Sequence, residues 1–438
     1  MSSQYLNDDL SALDYVQKDY LRGLQLERLR KMVQHAYDHV ELFNSRMKER
    51  NLVPADVKSL GDIAKLPFMV KADLRDTYPF GLFAVPMSEV VRLHASSGTT
   101  GKPIVVGYTR SDLEVWMEVV KRAFASCGLT RDDVIQVSYG YGLFTGGLGA
   151  HYGAEALGAT VVPTSGGNTQ RQIMLMRDFG TTAVCCTPSY FNFMIEQALA
   201  QGIDMRDLPI KAGIFGAEPW TEEMRKRIEA ASGIKAYDIY GLSEIIGPGV
   251  AIECGCQQGM HVFEDHFYPE IINPETGEVL PDGETGELVL TTLSKYAMPM
   301  IRYRTRDITK IIAEPCECGR TIRRIARISS RSDDMFIIKG VNIFPMQVEK
   351  VLVQFPELGS NYLITLETVN NQDEMIVEVE LSDLSTDNYI ELQKISKAIT
   401  RQLKDEILVT PKLRLVKKGS LPQSEGKAVR VKDLRDNK

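Results

Sequence analysis

No uninterrupted apolar run of roughly 18 residues, the length that crosses a bilayer, occurs in this chain of 438 residues. Its opening, MSSQYLNDDLSALDYVQKDY, also lacks a basic segment followed by an apolar core, so no leader is expected and a cytoplasmic location is the default. An excess of positive charge is missing too. The 51 Lys and Arg residues stand against 58 Asp and Glu, a formal net charge of −7, which gives no field for a nucleic-acid backbone or an anionic membrane. Neither partner is expected. Repeats and low-complexity tracts are absent, and 44% hydrophobic with 25% charged residues excludes disorder as the main state. A chain of this length suits two unequal domains and small-molecule chemistry.

Cysteine is scarce and unevenly placed: Cys127, the neighbours Cys185 and Cys186, the pair Cys254 and Cys256, and the pair Cys316 and Cys318. In a reducing compartment, such close pairs suggest a metal before they suggest disulfides. Cys185 and Cys186, inside the apolar run TAVCCT, read as core. The segments ECGCQQGMH (253–261) and PCECGR (315–320) offer four cysteines and His261. Zinc takes thiolates and imidazole tetrahedrally, so five candidates compete for four places, and a closed structural site is the expectation.

Helical spacing of Leu26, Leu29, Val33, Ala36 and Val40 opens the chain. From about residue 134, the apolar runs VIQVSYG, ATVVPT, TAVCCT, AGIFGA and KAYDIYG alternate with helical segments at 189–202 and 219–232. That alternation predicts a wound α/β layer with parallel strands and ligand sites at strand C-terminal ends. ELVLTTL (287–293) restarts β-structure. SDDMFIIKGVNIFP (332–345) reads as a turn into a hairpin tipped by Gly340, and strand, helix and strand follow to the end.

HASSGTTGKP (94–103) gathers hydroxyls, glycines and a lysine. Glycine lets backbone amides converge on an anion, and Ser96, Ser97, Thr99 and Thr100 add donors around Gly98 and Lys102. Its spacing is not that of a Walker A loop. A phosphate loop and a plain polar turn both fit these residues.

SSGTTGKP resembles the phosphate loop of the adenylate-forming enzymes, the superfamily of acyl-CoA synthetases, luciferases and adenylation domains. Further motifs follow in that superfamily's order: FGAEPW (215–220), YGLSE (240–244), RYRTRD (302–307), RSDDMFIIKGVNIFP (331–345) and LPQSEGKAVR (421–430). Within that superfamily, the short length, EDHFYPEII at 264–272 and the hinge segment IIKGVNIFP resemble the phenylacetate-CoA ligases. The resemblance implies an α/β fold with a large multi-layer amino-terminal domain of wound β-sheets, residues 1–331, hinged to a small α+β carboxy-terminal domain, residues 332–438. It implies ATP-dependent activation of a small aromatic carboxylic acid as an acyl-adenylate, then transfer to coenzyme A with release of AMP and pyrophosphate. An adenylating enzyme that hands another aromatic acid to a carrier thiol is the alternative. A homodimer is implied as well.

Residue by residue, the resemblance gives loop 96–102 the β- and γ-phosphates and Glu244 the Mg²⁺. Gly216, Ala217, Glu218 and Pro219 frame adenine, with Tyr240 stacked on the ring beside Gly241. Asp307 takes the ribose hydroxyls, whose two donors suit a carboxylate, and Arg331 approaches the phosphates. Lys427 reaches the acid carboxylate and the α-phosphate as a point charge on a long stem. Asp333 is the pivot. Each has a plain alternative: a loop carboxylate for Glu244, core packing for Tyr240, an ion pair with Arg302, Arg304 or Arg306 for Asp307, a solvated side chain for Lys427, a turn aspartate for Asp333. The aromatic and glycine-rich YGYGLFTGGLG (139–149) offers Tyr141 and Phe144 as walls of the acid pocket. His151 follows it as pocket lining or a satisfied helix residue. For structural Zn²⁺, similarity to these ligases favours Cys254, His261, Cys316 and Cys318, with Cys256 as the substitute for His261.

Overall fold

The computed structural model describes residues 12–95, 103–332, 334–369, 372–382, 388–422 and 429–435. Among these, no helix is long and apolar enough to cross a membrane. The helix Lys18–His39 buries Leu21, Gln25, Leu29, Met32, Val33 and Ala36, a stripe at spacings of three and four. Gln25 is its polar exception, and its amide donates to the Glu264 carbonyl at 2.9 Å.

The predicted apolar runs all become strands of one nine-stranded sheet. Thr160–Val162, Val134–Val137, Ala183–Cys186, Ala212–Phe215 and Lys235–Leu242 lie side by side in parallel. Ile246–Glu253, Met260–Val262, Arg324–Ile325 and Ile311–Ile312 then continue the sheet antiparallel. Strands covered on both faces read as continuous apolar runs rather than alternating ones. The neighbours Cys185 and Cys186 show why: Cys185 enters the main core with Ile135 and Ile214, and Cys186 enters a second core with Val184, Phe215 and Trp220. The helices Thr169–Asp178, Pro188–Ala200 and Glu222–Ser232 cover that second face. Thr187 and Thr221 cap the last two, accepting from the amides of Tyr190 and Met224, which fixes where each strand end turns into its helix.

An antiparallel sheet of Phe267–Ile272, Gly286–Thr292, Tyr303–Thr309 and Ser330–Arg331 packs beside the first. Its register sets Asp307 directly opposite Arg331. Beyond it, Phe336–Ile338 and Val341–Ile343 form the expected hairpin. Lys339 and Gly340 both take positive φ there (51° and 80°), the turn that matches strand twist.

The carboxy-terminal unit places the helices Pro345–Leu352 and Tyr389–Ile407 on a sheet ordered Lys412–Val416, Gln372–Leu381, Leu358–Val369, Val431–Asp433. Its core, including Ile338, Val348, Ile364, Val377, Ile399 and Leu403, is separate from the larger ones. The fold is thus a large α/β domain followed by a small α+β domain.

Candidate active site and cysteine–histidine cluster

Ser96, Ser97, Gly98, Thr99, Thr100, Lys102, Asp333 and Lys427 lie outside the described residues. The strand before the loop is described: Arg92–Ala95 pairs antiparallel with Val105–Tyr108. Its end is tied to the glycine-rich segment, because the Leu143 carbonyl accepts from both Ala95 N (2.9 Å) and His94 Nδ1 (3.0 Å). Burial, with Arg92 and Lys295 nearby, holds the His94 pKa down. The neutral ring therefore donates through Nδ1.

At the end of the strand Ala212–Phe215, a Cβ on Gly216 would sit 2.4 Å from the Ile239 carbonyl oxygen, so only glycine fits that crossing. Ala217 follows with φ 70°, uncommon backbone for a residue with a side chain. Oε1 of Glu218 accepts from Ser189 N at 2.9 Å, at the start of the helix Pro188–Ala200. Pro219 leads into the capped helix Glu222–Ser232.

The next strand end delivers Tyr240, Gly241 and Glu244. Gly241 runs against the Ile246 carbonyl, 2.6 Å from where a Cβ would be. Tyr240 donates its hydroxyl to Asp307 Oδ2 at 2.5 Å, and Arg331 Nη1 donates to Asp307 Oδ1 at 2.9 Å. Burial and the facing carboxylate push the Tyr240 hydroxyl well above its usual range, so it stays a donor. The arginines near Asp307 in sequence go elsewhere: Arg302 to Glu270 at 3.0 Å, Arg304 and Arg306 to Glu287 at 2.6 and 3.6 Å. The local ion pair weighed for Asp307 is thus formed with a residue from another strand.

Glu244 is buried, unlike a loop carboxylate in solvent. Tyr303 donates to its Oε1 at 3.3 Å, and Lys295 Nζ donates to its backbone carbonyl at 2.7 Å. Lys295 is itself only 1% exposed and lies 4.8 Å from the centre of the Tyr108 ring. Burial pulls its pKa down to about 8, opposed by Asp112 and Glu244. Tyr108 donates to the Ser243 carbonyl at 3.2 Å, so this turn is held from behind by two side chains. Sequence reasoning missed Lys295, Tyr303 and Tyr108. The only signal for Lys295 was a charge set within the otherwise uncharged LTTLSKYAMPMI.

Tyr141 contacts His151 Nδ1 through its hydroxyl at 3.2 Å, and His151 Nε2 lies 3.1 Å from Glu155. Both partners are on the helix Thr145–Leu157. His151 is thereby a satisfied helix residue. Phe144, partly buried, precedes this helix and packs against the main core.

The cysteine–histidine expectation meets a compact group. One ligand atom each from Cys254, His261, Cys316 and Cys318 lies within 4.8 Å of the others, and all four residues are buried. Cys254 Sγ is 3.7 Å from Cys316 Sγ, and Cys318 Sγ is 3.4 Å from His261 Nε2. His261 Nδ1 faces the Ile322 carbonyl at 3.4 Å, which leaves Nε2 as the free lone pair, the usual arrangement behind a metal-bound imidazole. Half-buried Cys256 packs beside the group without joining it. Just past Cys318, Arg320 reaches Asp14 at 3.3 Å. Asp14, 0% exposed, also takes Arg122 at 2.6 Å, and Arg122 holds Asp265 at 3.0 Å. The EDHF run is therefore part of a buried ion network.

This two-domain architecture is the adenylate-forming fold. Residues 44–294 match the family described as AMP-binding enzyme, and residues 340–435 its C-terminal domain. The chain is 51% identical to a phenylacetate-coenzyme A ligase of Pseudomonas putida, over 99% of both chains. It is 48% identical to the ligase of the same name from Escherichia coli (strain K12), over 98% of both. A 2-hydroxyisobutyryl-CoA ligase in the postadenylation state superimposes with a TM-score of 0.91 at 27% identity, covering 99% of this chain and 94% of that one. The chain belongs to the phenylacetate-coenzyme A ligase family, and it is an acid–thiol ligase.

Proposed function

We propose that the chain couples an aryl acetate of the phenylacetate type to coenzyme A in two half-reactions. The acid carboxylate attacks the α-phosphorus of ATP and expels pyrophosphate. The coenzyme A thiol then attacks the acyl carbon of the adenylate and expels AMP. The supporting observation is the meeting of Tyr240, Asp307 and Arg331, drawn from three strands, beside the Gly216–Pro219 turn. In this reading Asp307 accepts from the ribose hydroxyls with its remaining lone pairs, and Tyr240 and Arg331 orient it. Glu244, a hard oxygen donor posed by Tyr303 and Lys295, fits Mg²⁺, which supplies charge neutralisation on the phosphates when bound. Loop 96–102 grips those phosphates, and Lys427 stabilises the charge that builds between carboxylate and phosphate.

The reading divides the chain at residues 1–331 and 332–438, with Asp333 as the pivot. Tyr141 and Phe144 wall the aryl pocket. The three-thiol, one-imidazole group fits structural Zn²⁺ in its ligand number and donor types. Formation of AMP should require both acid and coenzyme A. Lys427→Ala should abolish acid-dependent pyrophosphate exchange yet spare thioester formation from supplied phenylacetyl-adenylate. Equal loss of both half-reactions would refute the role of Lys427, and AMP formation indifferent to coenzyme A would refute the acceptor.

A further inference from the structure

The two domains meet at a polar contact that none of the motifs contains. Arg227, on the helix Glu222–Ser232 of the large domain, donates through Nη2 to the Leu358 carbonyl of the small domain at 3.2 Å. The same nitrogen lies 3.5 Å from Glu196 Oε1 on the helix Pro188–Ala200. Asn192, one turn earlier, donates to that oxygen at 3.2 Å. Burial pushes the Glu196 carboxyl up, while Arg227, Lys418 and Ser360 pull it back toward the charged form. Ser360 and Lys418 both belong to the small domain. Beside them, Val353 of the small domain packs on the second core of the large one. Arg227 and Glu196 thus add a polar bridge, beside the apolar contact of Val353, between two bodies that each have a core of their own.

Whole-chain similarity distinguishes the arrangement. Against the 2-hydroxyisobutyryl-CoA ligase, the TM-score is 0.91 for the postadenylation state, 0.72 for the thioesterification state and 0.69 for an open conformation. Sequence identity stays at 27–28% throughout. The relative is the same protein in all three, so the difference is one of arrangement.

We infer that Arg227 and Glu196 form a latch that holds the small domain in the arrangement seen here, and so set the balance between the two half-reactions. The inference rests on the proposed ligase activity. Both residues are positioning groups, and neither contacts Tyr240, Asp307 or Arg331 in the hydrogen bonds and ion pairs described above. A hydrogen bond from a charged donor to a carbonyl that another arrangement would carry away biases a two-state equilibrium directly.

The test measures each half-reaction on the full chain: acid-dependent exchange of pyrophosphate into ATP, and coenzyme A acylation from supplied phenylacetyl-adenylate. Arg227→Met should lower exchange by about tenfold, the scale of one charge-assisted hydrogen bond, and leave acylation unchanged or faster. Ser360→Ala, a mild change on the opposite side of the contact, should shift the ratio the same way by about twofold. It carries the test if Arg227→Met does not fold. Equal loss in both half-reactions, or an unchanged ratio in both variants, would overturn the latch. A wild-type chain with no acid-dependent exchange would instead overturn the activity on which it rests.

Discussion

Tyr240 and Asp307 stand on strands of two different sheets, and a 2.5 Å hydrogen bond from the tyrosine hydroxyl to Oδ2 joins them. The carboxylate is thereby fixed between a neutral donor and the Arg331 guanidinium. Tyr240→Phe removes one of those two holds. A hydrogen bond to a charged group contributes about 1.5–3 kcal/mol, so kcat/KM for ATP should fall by roughly tenfold to a hundredfold. Asp307→Asn should fall further, since it also removes the shorter of the two ion pairs of Arg331, 2.9 Å against 3.8 Å to Asp334. ATP titration at saturating acid measures both, and a tyrosine variant with wild-type ATP kinetics would exclude the carboxylate from nucleotide binding.

Lys295 is the second test. Burial pulls its pKa down to about 8 in the folded chain, from the ordinary lysine value of 10.5. Between those values the unfolded chain binds more protons, so the lysine's contribution to stability rises with pH across about 8 to 10.5. The thermal midpoint of wild type relative to Lys295→Met should therefore climb through that window. Below pH 8 the variant escapes the cost of a buried charge, but it leaves the Glu244 carbonyl unpaired at about 1–3 kcal/mol. Its adenylation rate should drop because Glu244 loses its support. A midpoint difference that is flat with pH would contradict the buried ammonium.

In the small domain, Glu349 is buried and its pKa is pushed up to about 7, chiefly by burial and further by Glu218 across the domain contact, while Arg430 and the Tyr362 hydroxyl oppose the shift. Here the sign reverses. The folded state holds the proton between pH 4.5 and about 7, so wild type loses stability as pH rises through that window. Glu349→Gln, which keeps a partner for Tyr362, should match wild type near pH 5 and exceed it by about 1–3 kcal/mol above pH 7. Denaturant unfolding at the two pH values reads the difference directly.

Metal analysis addresses the fourth expectation. Protein purified without added zinc should carry about one equivalent, as a closed four-ligand site requires. Less than about a tenth of an equivalent would reject the assignment. Cys318→Ala should lose the metal and lower the thermal midpoint, whereas Cys256→Ala should retain it. Loss in both would place Cys256 among the ligands.

Much of this was legible because parallel strands covered on both faces leave a plain signature. VIQVSYG, TAVCCT and AGIFGA could hardly be anything else, and the glycines at 216 and 241 stand where backbones cross. What the residues alone left open was pairing across distance. Arg302, Arg304 and Arg306 all precede Asp307 closely along the chain, yet strand register handed it Arg331. Lys295 lies in none of the motifs, and Tyr303, though inside RYRTRD, carried no assigned role there, because holding a turn from behind needs only reach and a buried approach. The latch residues Arg227 and Glu196 read as ordinary charged positions on amphipathic helices. Only the docking of one domain on the other gives them a task.

Two guanidiniums, from Arg122 and Arg320, converge on the buried Asp14. Removing one partner of a buried charge cluster is more damaging than never having built it. The short turn Ala12–Tyr15 consequently supplies a counter-ion for the interior. Trimming past that aspartate would unsettle the arginine that follows the thiol cluster and Arg122 with its partner Asp265.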